Sequence, residues 1–389
     1  MDDSEERGDR GNDPGVTDLE TAVRARLDAL DAGNYRANTE LVLGEFVAFL
    51  REERGVDDLE ELTVLDCRRY AQYLRSRASD PEETLSAAST HANGPYFTIV
   101  RAFLSWCVDD ERLDANPARP NRVRDALPEY HGNRDRQFWP PEARDALLDA
   151  LVERVRAELD TRQGHATNRD ELDPTPFRDR AIVAVLAFTG VRGAEVFADP
   201  RDEHRDGLRW ADVDLDRGVA RVLGKTRERQ SVALTDKVVD ALDRYQRVLA
   251  PPTDEWPVFP TRHRPSLSGA VRDGLEERGW SEAEIEAALD EHGSTELLRH
   301  HEIAPPALSK NGARNLMQRL CESAGIDVDG EYLKPHGGRR ALGDRLYAAD
   351  AELAQETLRH ESIETTHDAY REQNAVERRE RIEDVLDGE

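Results

Sequence analysis

The sequence predicts a mainly α-helical protein of two domains with a small antiparallel β-sheet. Three observations lead to this fold class. Apolar residues recur at helical spacing over most of the chain. Only short alternating segments between residues 213 and 234 suit β-strands. The length of 389 residues exceeds what one ordinary hydrophobic core holds, so a second core is expected.

Composition divides the chain into four parts. Residues 1–16 are acidic and contain no apolar segment, which predicts a disordered leader and not a signal peptide. A helical domain is predicted over 17–120, a polar, Arg-rich linker over 121–138, and a second domain over 139–389. The linker suits either a flexible basic connection that closes around a polyanion or a plain solvated connector, and the sequence leaves both open.

The first domain is predicted as a small bundle of four helices. Thr63 is suited to cap the third helix, and Asn116-Pro117 ends the fourth. The apolar positions that define these helices are Leu19, Val23, Leu27 and Leu30, then Leu41, Leu43, Phe46, Val47 and Leu50, then Cys67, Tyr70, Tyr73 and Leu74, and finally Phe97, Val100, Phe103, Leu104 and Cys107.

The second domain combines helices with three short strands. Two of its segments are longer than a minimal domain needs, the polar loop and the insertion. The predicted elements are a helix from Pro140, a polar loop over 160–175, an apolar helix over 177–188, strands over 213–215, 219–223 and 231–234, an insertion over about 265–306, and a charged tail over 371–389.

The formal net charge of −27 argues at first against a nucleic-acid partner. The cations are almost all Arg, however, with Lys only at positions 225, 237, 310 and 334. Many carboxylates with scarce Lys resemble the composition of proteins from salt-loving archaea. The acidity is therefore interpreted as halophilic adaptation from a haloarchaeal source, and the alternative is a generic acidic protein that avoids DNA.

The chain shows no feature of a membrane or metal protein. No run of about 18 apolar residues is present, so no membrane span is expected. Cys67, Cys107 and Cys321 are far apart, which indicates neither a zinc site nor a disulfide framework and fits a reducing cytoplasm. The adjacent pair His300 and His301 is interpreted as surface residues, because neighbours in sequence do not share a helix face.

Two cations are candidates for chemistry because of their surroundings. Arg192 stands in the segment TGVRGAE, directly after a predicted helix. Lys225 stands in GKTRER, between two predicted strands. In a chain that otherwise uses Arg, a retained ammonium group is informative, since only Lys readily donates a proton near neutral pH.

Four further candidates lie near the end of the chain. His336 and Arg339 form the motif H-G-G-R and share one face near a helix N-terminus if the glycines begin a helix. His360 lies ten residues before Tyr370, in LRHESIETTHDAY. Singly, each residue is more typical of a surface or core position. The ordered set that they form with Arg192 and Lys225 is not explained in this way. Each specified position matches by chance only about once in twenty, so a chance match to all six is very rare.

This ordered set resembles the signature of the tyrosine recombinase family, which includes the phage integrases and the Xer recombinases. The local motifs match as well: T-G-x-R-x-x-E, G-K-x-x-x-R and L-x-H-x-x-I-x-T-T. The resemblance implies a helical, SAM-like core-binding domain and an α+β catalytic domain. It also implies double-stranded DNA as the partner, a homotetramer on paired sites, and neither a metal, a cofactor nor a small-molecule substrate. One departure is Gly338, where an apolar residue such as Leu is expected.

The resemblance implies a catalytic role for each residue. Tyr370 attacks phosphorus and forms a 3'-phosphotyrosine, Arg192 and Arg339 hold the phosphate oxygens, and Lys225 protonates the leaving 5'-oxygen. The two histidines, His336 and His360, help to position the phosphate and accept the proton of Tyr370. The sequence leaves open which histidine does which.

Two other functions are alternatives to a site-specific recombinase. A type IB topoisomerase uses the same chemistry, and a non-catalytic DNA-binding protein can use the same fold. The separate helical domain and the tail favour the recombinase. The tail is expected either to pack on a neighbouring protomer or to be a solvated end. The target site, and whether the reaction serves integration, excision or dimer resolution, are not readable from the sequence.

Overall fold

The computed structural model describes residues 18–80, 85–130, 137–163 and 172–370. These residues form two compact units, one within 1–135 and the other within 136–389. The predicted fold class is confirmed, since helices dominate and the sheet has three antiparallel strands in the order β1-β2-β3. The predicted leader and tail lie outside the described residues. No helix in the described part of the chain is long and apolar enough to cross a membrane.

The first unit is a helical bundle. Thr63 caps α3 as predicted, because its side chain accepts the Asp66 N–H and the Asp66 carboxylate accepts the Thr63 N–H. The Phe46 and Tyr70 rings meet edge to face at 4.8 Å in the core. Its helices are α1 (Leu19–Asp28), α2 (Asn34–Phe49, continued by a π-helical turn at Leu50–Arg54), α3 (Val64–Ser79), α4 (Ala87–Thr90), α5 (Pro95–Asp109) and α6 (Asn121–Arg124).

The segment predicted as a linker over 121–138 is packed at both ends. Val123 and Leu127 lie in the core of the first unit, because α6 and the turn after it place their apolar side chains against α3. At the other end, Gln137 donates to the Tyr332 carbonyl at 2.9 Å and accepts the Lys334 N–H at 2.7 Å. Residues 131–136 lie outside the described part of the chain.

The second unit is built around one buried helix, α8. The predicted apolar helix over 177–188 begins three residues earlier, at Pro174, because Asp173 caps it by accepting the Thr175 N–H at 2.9 Å. The helices of the unit are α7 (Pro141–Gln163), α8 (Pro174–Phe188), α9 (Gly193–Val196), α10 (Asp236–Leu249), α11 (Arg264–Glu276), α12 (Glu282–His292), α13 (Ser294–His300), α14 (Lys310–Ala324), α15 (Pro335–Ala349), α16 (Ala351–Leu358) and α17 (Ile363–Tyr370).

The sheet consists of β1 (Val213–Asp214), β2 (Val219–Leu223) and β3 (Arg229–Ala233). Strand β3 begins two residues earlier than its apolar pattern predicts, because Leu223 pairs with Arg229 and extends the hairpin toward its tip. The tip, residues 224–228, is closed by the Gly224 N–H, which donates to the Glu228 carbonyl at 2.8 Å. Lys225 lies on this tip.

The segment predicted as an insertion folds into the three helices α11, α12 and α13. Its apolar residues Val271, Leu275 and Leu298 are part of the main core of the second unit. His300 ends α13, and the ring of His301 meets the ring of Trp280 edge to face at 5.3 Å. The segment is therefore an integral part of the unit and not a loose addition.

Candidate active site

Arg192 lies in a sharp turn between two helices. Gly190 ends the α8 helix region with a φ of +67°, a conformation that favours glycine, and Arg192 then stands at the N-cap of α9. The carboxylate of Glu195 accepts the Arg192 backbone N–H at 2.8 Å and its guanidinium at 2.9 Å. Glu195 is buried, with 1% of its side chain exposed, so it holds the Arg192 side chain from the protein interior.

The two glycines of H-G-G-R lie in the first turn of α15, where two other segments approach closely. A Cβ atom on Gly337 would lie 2.6 Å from the Trp139 ring. A Cβ atom on Gly338 would collide with the Leu186 carbonyl of α8. The expectation of an apolar residue at 338 therefore does not hold in this chain, because α8 and α15 pack too closely for any side chain there.

Arg339 is the most deeply buried of the three candidates with cationic side chains, Arg192, Lys225 and Arg339, with 4% of the residue exposed. Its guanidinium donates to the carbonyls of Gly190 and, at 2.5 Å, of Leu358. It therefore ties α15 to the Arg192 turn and to the end of α16. Burial, followed by repulsion from Arg192, lowers the pKa of Arg339 to about 10, so the side chain stays charged at neutral pH.

Arg359 is a second buried guanidinium beside these residues. It follows α16 in the left-handed conformation, with a φ of +53°. Its side chain donates to Glu195 at 2.5 Å, so one buried carboxylate is shared by Arg192 and Arg359. Burial, opposed by the attraction of Glu195, leaves the pKa of Arg359 below its ordinary value.

The two candidate histidines are held in the neutral form. Burial and then repulsion by Arg339, Arg192 and Arg359 lower the pKa of His360 to about 4, and its Nδ1 lies 2.9 Å from the Thr366 hydroxyl. His336 keeps part of its side chain in contact with solvent. The surrounding protein nevertheless removes water from the imidazole, and nearby guanidinium groups repel its charged form. Both effects, desolvation the larger, lower the pKa of His336 to about 4.

Tyr370 ends α17 and is buried, with 3% of the residue exposed. Its ring lies 5.9 Å from the ring of Tyr347 and 6.4 Å from that of Phe138. Its hydroxyl lies against the backbone of Gly343, where even one added Cβ atom would collide with it. Gly343 is one helical turn beyond Arg339, and the Tyr370 hydroxyl acts electrostatically on that guanidinium.

The structure thus brings five of the six candidates together and leaves one apart. Arg339 interacts electrostatically with Arg192, His336, His360 and Tyr370, and Arg192 does so with both histidines. Lys225 is exposed on the tip of the β2–β3 hairpin, and the described contacts that join the other five do not include it.

Sequence reasoning did not assign a role to Glu195, Arg359 or Thr366. Glu195 had a signal, because it lies three residues after Arg192 and this spacing is that of a capping interaction at a helix start. Arg359 adjoins His360 in sequence, but its pairing with a carboxylate 164 residues away has no local signal. Thr366 is buried in α17, the helix that follows His360, and its hydroxyl contacts that histidine.

Comparison with known proteins identifies the family of the chain. The model of the phage integrase family matches residues 161–377, more than half of the chain. The tyrosine recombinase XerD of Corynebacterium glutamicum is 25% identical over 348 residues, which cover 89% of this chain and 88% of the relative. The tyrosine recombinase XerC of Xanthomonas axonopodis pv. citri is 25% identical over 313 residues, covering 74% and 88%.

Solved structures show the same fold. The integrase of the transposon Tn1549, in complex with a circular intermediate DNA, superimposes with a TM-score of 0.54 and 14% identity, over 91% of this chain and 95% of that one. The XerH recombinase bound to a palindromic difH substrate gives a TM-score of 0.53 and 14% identity, over 90% and 78%.

The fold and the cluster of guanidinium, imidazole and phenol groups define a DNA strand-transfer enzyme of the tyrosine type. The chain belongs to the phage integrase family of tyrosine recombinases. It is a site-specific recombinase, an enzyme that cleaves and rejoins DNA strands.

Proposed function

We propose that this recombinase cleaves DNA by attack of the Tyr370 hydroxyl on a backbone phosphate. The P–O5' bond breaks as the O–P bond to Tyr370 forms, which leaves a 3'-phosphotyrosine and a free 5'-hydroxyl. The observation that carries the proposal is that the Tyr370 hydroxyl lies against Gly343 of α15, one turn beyond Arg339, within a site that concentrates fixed positive charge.

Arg192 and Arg339 hold the non-bridging phosphate oxygens. Their guanidinium groups stabilise the charge that develops on these oxygens, and loss of one such donor typically costs about 3–4 kcal/mol of transition-state stabilisation. The backbone carbonyls of Gly190 and Leu358 fix Arg339, and Glu195 fixes Arg192. The groups are therefore positioned before DNA arrives and need little reorganisation during the reaction.

The histidines and Lys225 transfer the protons. With pKa values of about 4, His336 and His360 are neutral at pH 7, so either imidazole can accept the proton that leaves Tyr370. Lys225 donates a proton to the departing 5'-oxygen. Its exposure on the hairpin tip supports this role, since the tip can reach a DNA strand that stays outside the protein core.

Double-stranded DNA is the proposed substrate, and a homotetramer on two paired sites is the proposed active assembly. The DNA in the complexes of the Tn1549 integrase and XerH supports the first proposal. We place the predicted trans packing of the 371–389 tail in this assembly. The net charge of −27 and the four lysines support work in concentrated salt, and three free, buried cysteines support a reducing compartment.

Covalent trapping on a nicked suicide duplex tests the nucleophile. The wild-type protein is expected to form a protein–DNA adduct that maps to Tyr370, on some DNA sequences and not on others. Tyr370→Phe should bind the same DNA and form no adduct. Tyr347→Phe is the matched control, because its ring lies beside Tyr370 and its hydroxyl contacts His367 at 2.7 Å. An adduct with Tyr370→Phe would refute the assignment, and adduct formation without sequence preference would indicate a topoisomerase.

A further inference from the structure

The loop between α9 and the sheet, residues 198–207, contains an arginine that contacts the hairpin from behind. Arg205 is largely buried, with 12% of its side chain exposed. Its guanidinium donates to the Leu223 carbonyl at 2.9 Å and to the Gly224 carbonyl at 2.6 Å. These are the two residues that directly precede Lys225. The same guanidinium donates to the Ala194 carbonyl of α9 at 3.0 Å.

One side chain therefore joins the hairpin tip to the helix that Arg192 caps. The planar fork of an arginine suits this task, because it presents donors in fixed directions from separate nitrogens, whereas an ammonium group presents all its donors from a single nitrogen. The Arg205–Ala194 contact thus links the backbone beside Lys225 to α9, the helix that begins at the phosphate-binding Arg192.

Asp202 adds a second connection between the loop and the tip. Its carboxylate lies 3.4 Å from the Arg205 guanidinium and 3.7 Å from that of Arg227, and it is itself buried. Arg227 belongs to the same tip as Lys225 and has a φ of +62°. The carboxylate thus orients Arg205 and holds the far side of the turn.

The 198–207 loop is in turn fixed to α14. The Ala198 N–H donates to the Leu308 carbonyl at 3.0 Å, and the Lys310 N–H donates to the Ala198 carbonyl at 2.9 Å. The Lys310 ammonium also pairs with the buried Asp199. At the other end of the loop, the N–H of Leu208 donates to the Val196 carbonyl of α9 at 3.0 Å. Arg205 therefore lies on a loop whose two ends are bonded to helical segments, so it can support the hairpin from a fixed position.

We propose that Arg205 is a positioning residue for proton donation by Lys225. A general acid is effective only within hydrogen-bond reach of the atom that it protonates, and an exposed two-stranded tip does not hold that position by itself. Arg205, oriented by Asp202, supplies the missing constraint through the two carbonyls that precede Lys225. This inference rests on the proposed role of Lys225 as the general acid.

Single-turnover cleavage with two leaving groups tests the proposal. One substrate has the normal bridging 5'-oxygen, and the other has a bridging 5'-sulfur, which departs without a proton. Arg205→Lys keeps the charge and loses the three-carbonyl contact. It is expected to cleave the oxygen substrate about 10- to 100-fold more slowly than wild type, a part of the usual contribution of a general acid. On the sulfur substrate it should cleave at close to the wild-type rate.

Arg209→Ala is the matched control, because Arg209 follows the same loop and contacts Asp206 and the Glu255 carbonyl, not the hairpin. It should cleave both substrates like wild type. Asp202→Asn should show the Arg205→Lys pattern more weakly. Thermal melting and DNA binding establish that each variant is folded.

Equal slowing of Arg205→Lys on both substrates, or no slowing on either, would overturn the inference. Lys225→Ala separates this failure from failure of the proposed function. If sulfur rescues Lys225→Ala but not Arg205→Lys, the acid role stands and only the positioning role falls. If sulfur does not rescue Lys225→Ala, the acid role itself is wrong and the inference falls with it.

Discussion

The cluster around Arg339 and the β2–β3 hairpin are built in opposite ways, and the proposed mechanism gives them different parts of one reaction. In the cluster, Arg339 and Glu195 are buried, and each bonds to two other segments of the chain. On the hairpin, Lys225 is exposed, and the support from the loop contacts the residues on either side of it, Leu223 and Gly224 before it and Arg227 after it. In the proposed mechanism, charge stabilisation thus depends on preorganised groups in the interior, whereas proton donation depends on an exposed element that can reach the DNA strand.

The largest difference between the two regions is expected from Glu195→Ala, in the free energy of unfolding and in cleavage. The change leaves Arg359 buried without its carboxylate and frees Arg192, and loss of one partner of a buried ion pair costs about 3–5 kcal/mol. Urea unfolding should show this loss, and cleavage should fall for either leaving group. Lys225→Ala, on the exposed tip, should leave the free energy of unfolding unchanged. The control for the chemical change is Glu291→Ala, whose side chain is 76% exposed. Equal stability of all three variants would contradict a buried network.

A smaller effect is expected from Gly338→Ala. The added Cβ atom would collide with the Leu186 carbonyl, so α15 has to move away from α8 at a cost of about 1–3 kcal/mol. Cleavage should fall as well, because Arg339 is the next residue. Gly269→Ala is the control, since nothing outside its own stretch of helix lies within 4 Å of the added methyl group. That variant should be slightly stabilised, by roughly 0.5–1 kcal/mol, in the interior of α11. Thermal melting of both variants measures the difference.

The smallest effect concerns pH. His360 has an ordinary pKa of 6.5 in the unfolded chain and about 4 in the folded protein. Between these values the unfolded state binds the proton and the folded state does not, so its contribution to stability falls as the pH decreases from 6.5 to 4 and is constant above 6.5. The melting temperature of His360→Asn should therefore depend less on pH in this window than that of wild type. If the melting temperatures of both proteins change equally with pH between 4 and 6.5, the pKa of His360 is not depressed.

The same contrast explains what the sequence predicts well. Thr63 marks the start of its helix as a local N-cap, and Arg192, Lys225 and Tyr370 lie in short motifs whose order is recognisable. Local signals of this kind need no knowledge of packing. The β2–β3 hairpin is predictable for the same reason, because alternation and a turn are readable along the chain, although Arg229 extends β3 beyond the apolar residues.

The parts that the sequence did not reveal depend on long-range packing. Arg359 meets Glu195 only because α16 ends beside α9, and Gly338 is required only because α8 passes behind α15. Neither relation has a signal in neighbouring residues. The contact of Arg205 with the hairpin is of the same kind, since a charged loop residue is ordinarily solvated.

The division of labour between the cluster and the hairpin is tested most directly by leaving-group substitution in two variants. The measurement is the ratio of single-turnover cleavage rate constants on the 5'-sulfur and 5'-oxygen substrates. For Lys225→Ala this ratio should rise about 10²- to 10⁴-fold over wild type, because sulfur needs no proton. For Arg339→Lys, which loses its contacts to Gly190 and Leu358, both rates should fall and the ratio should stay at the wild-type value. An equal ratio in the two variants would contradict the account.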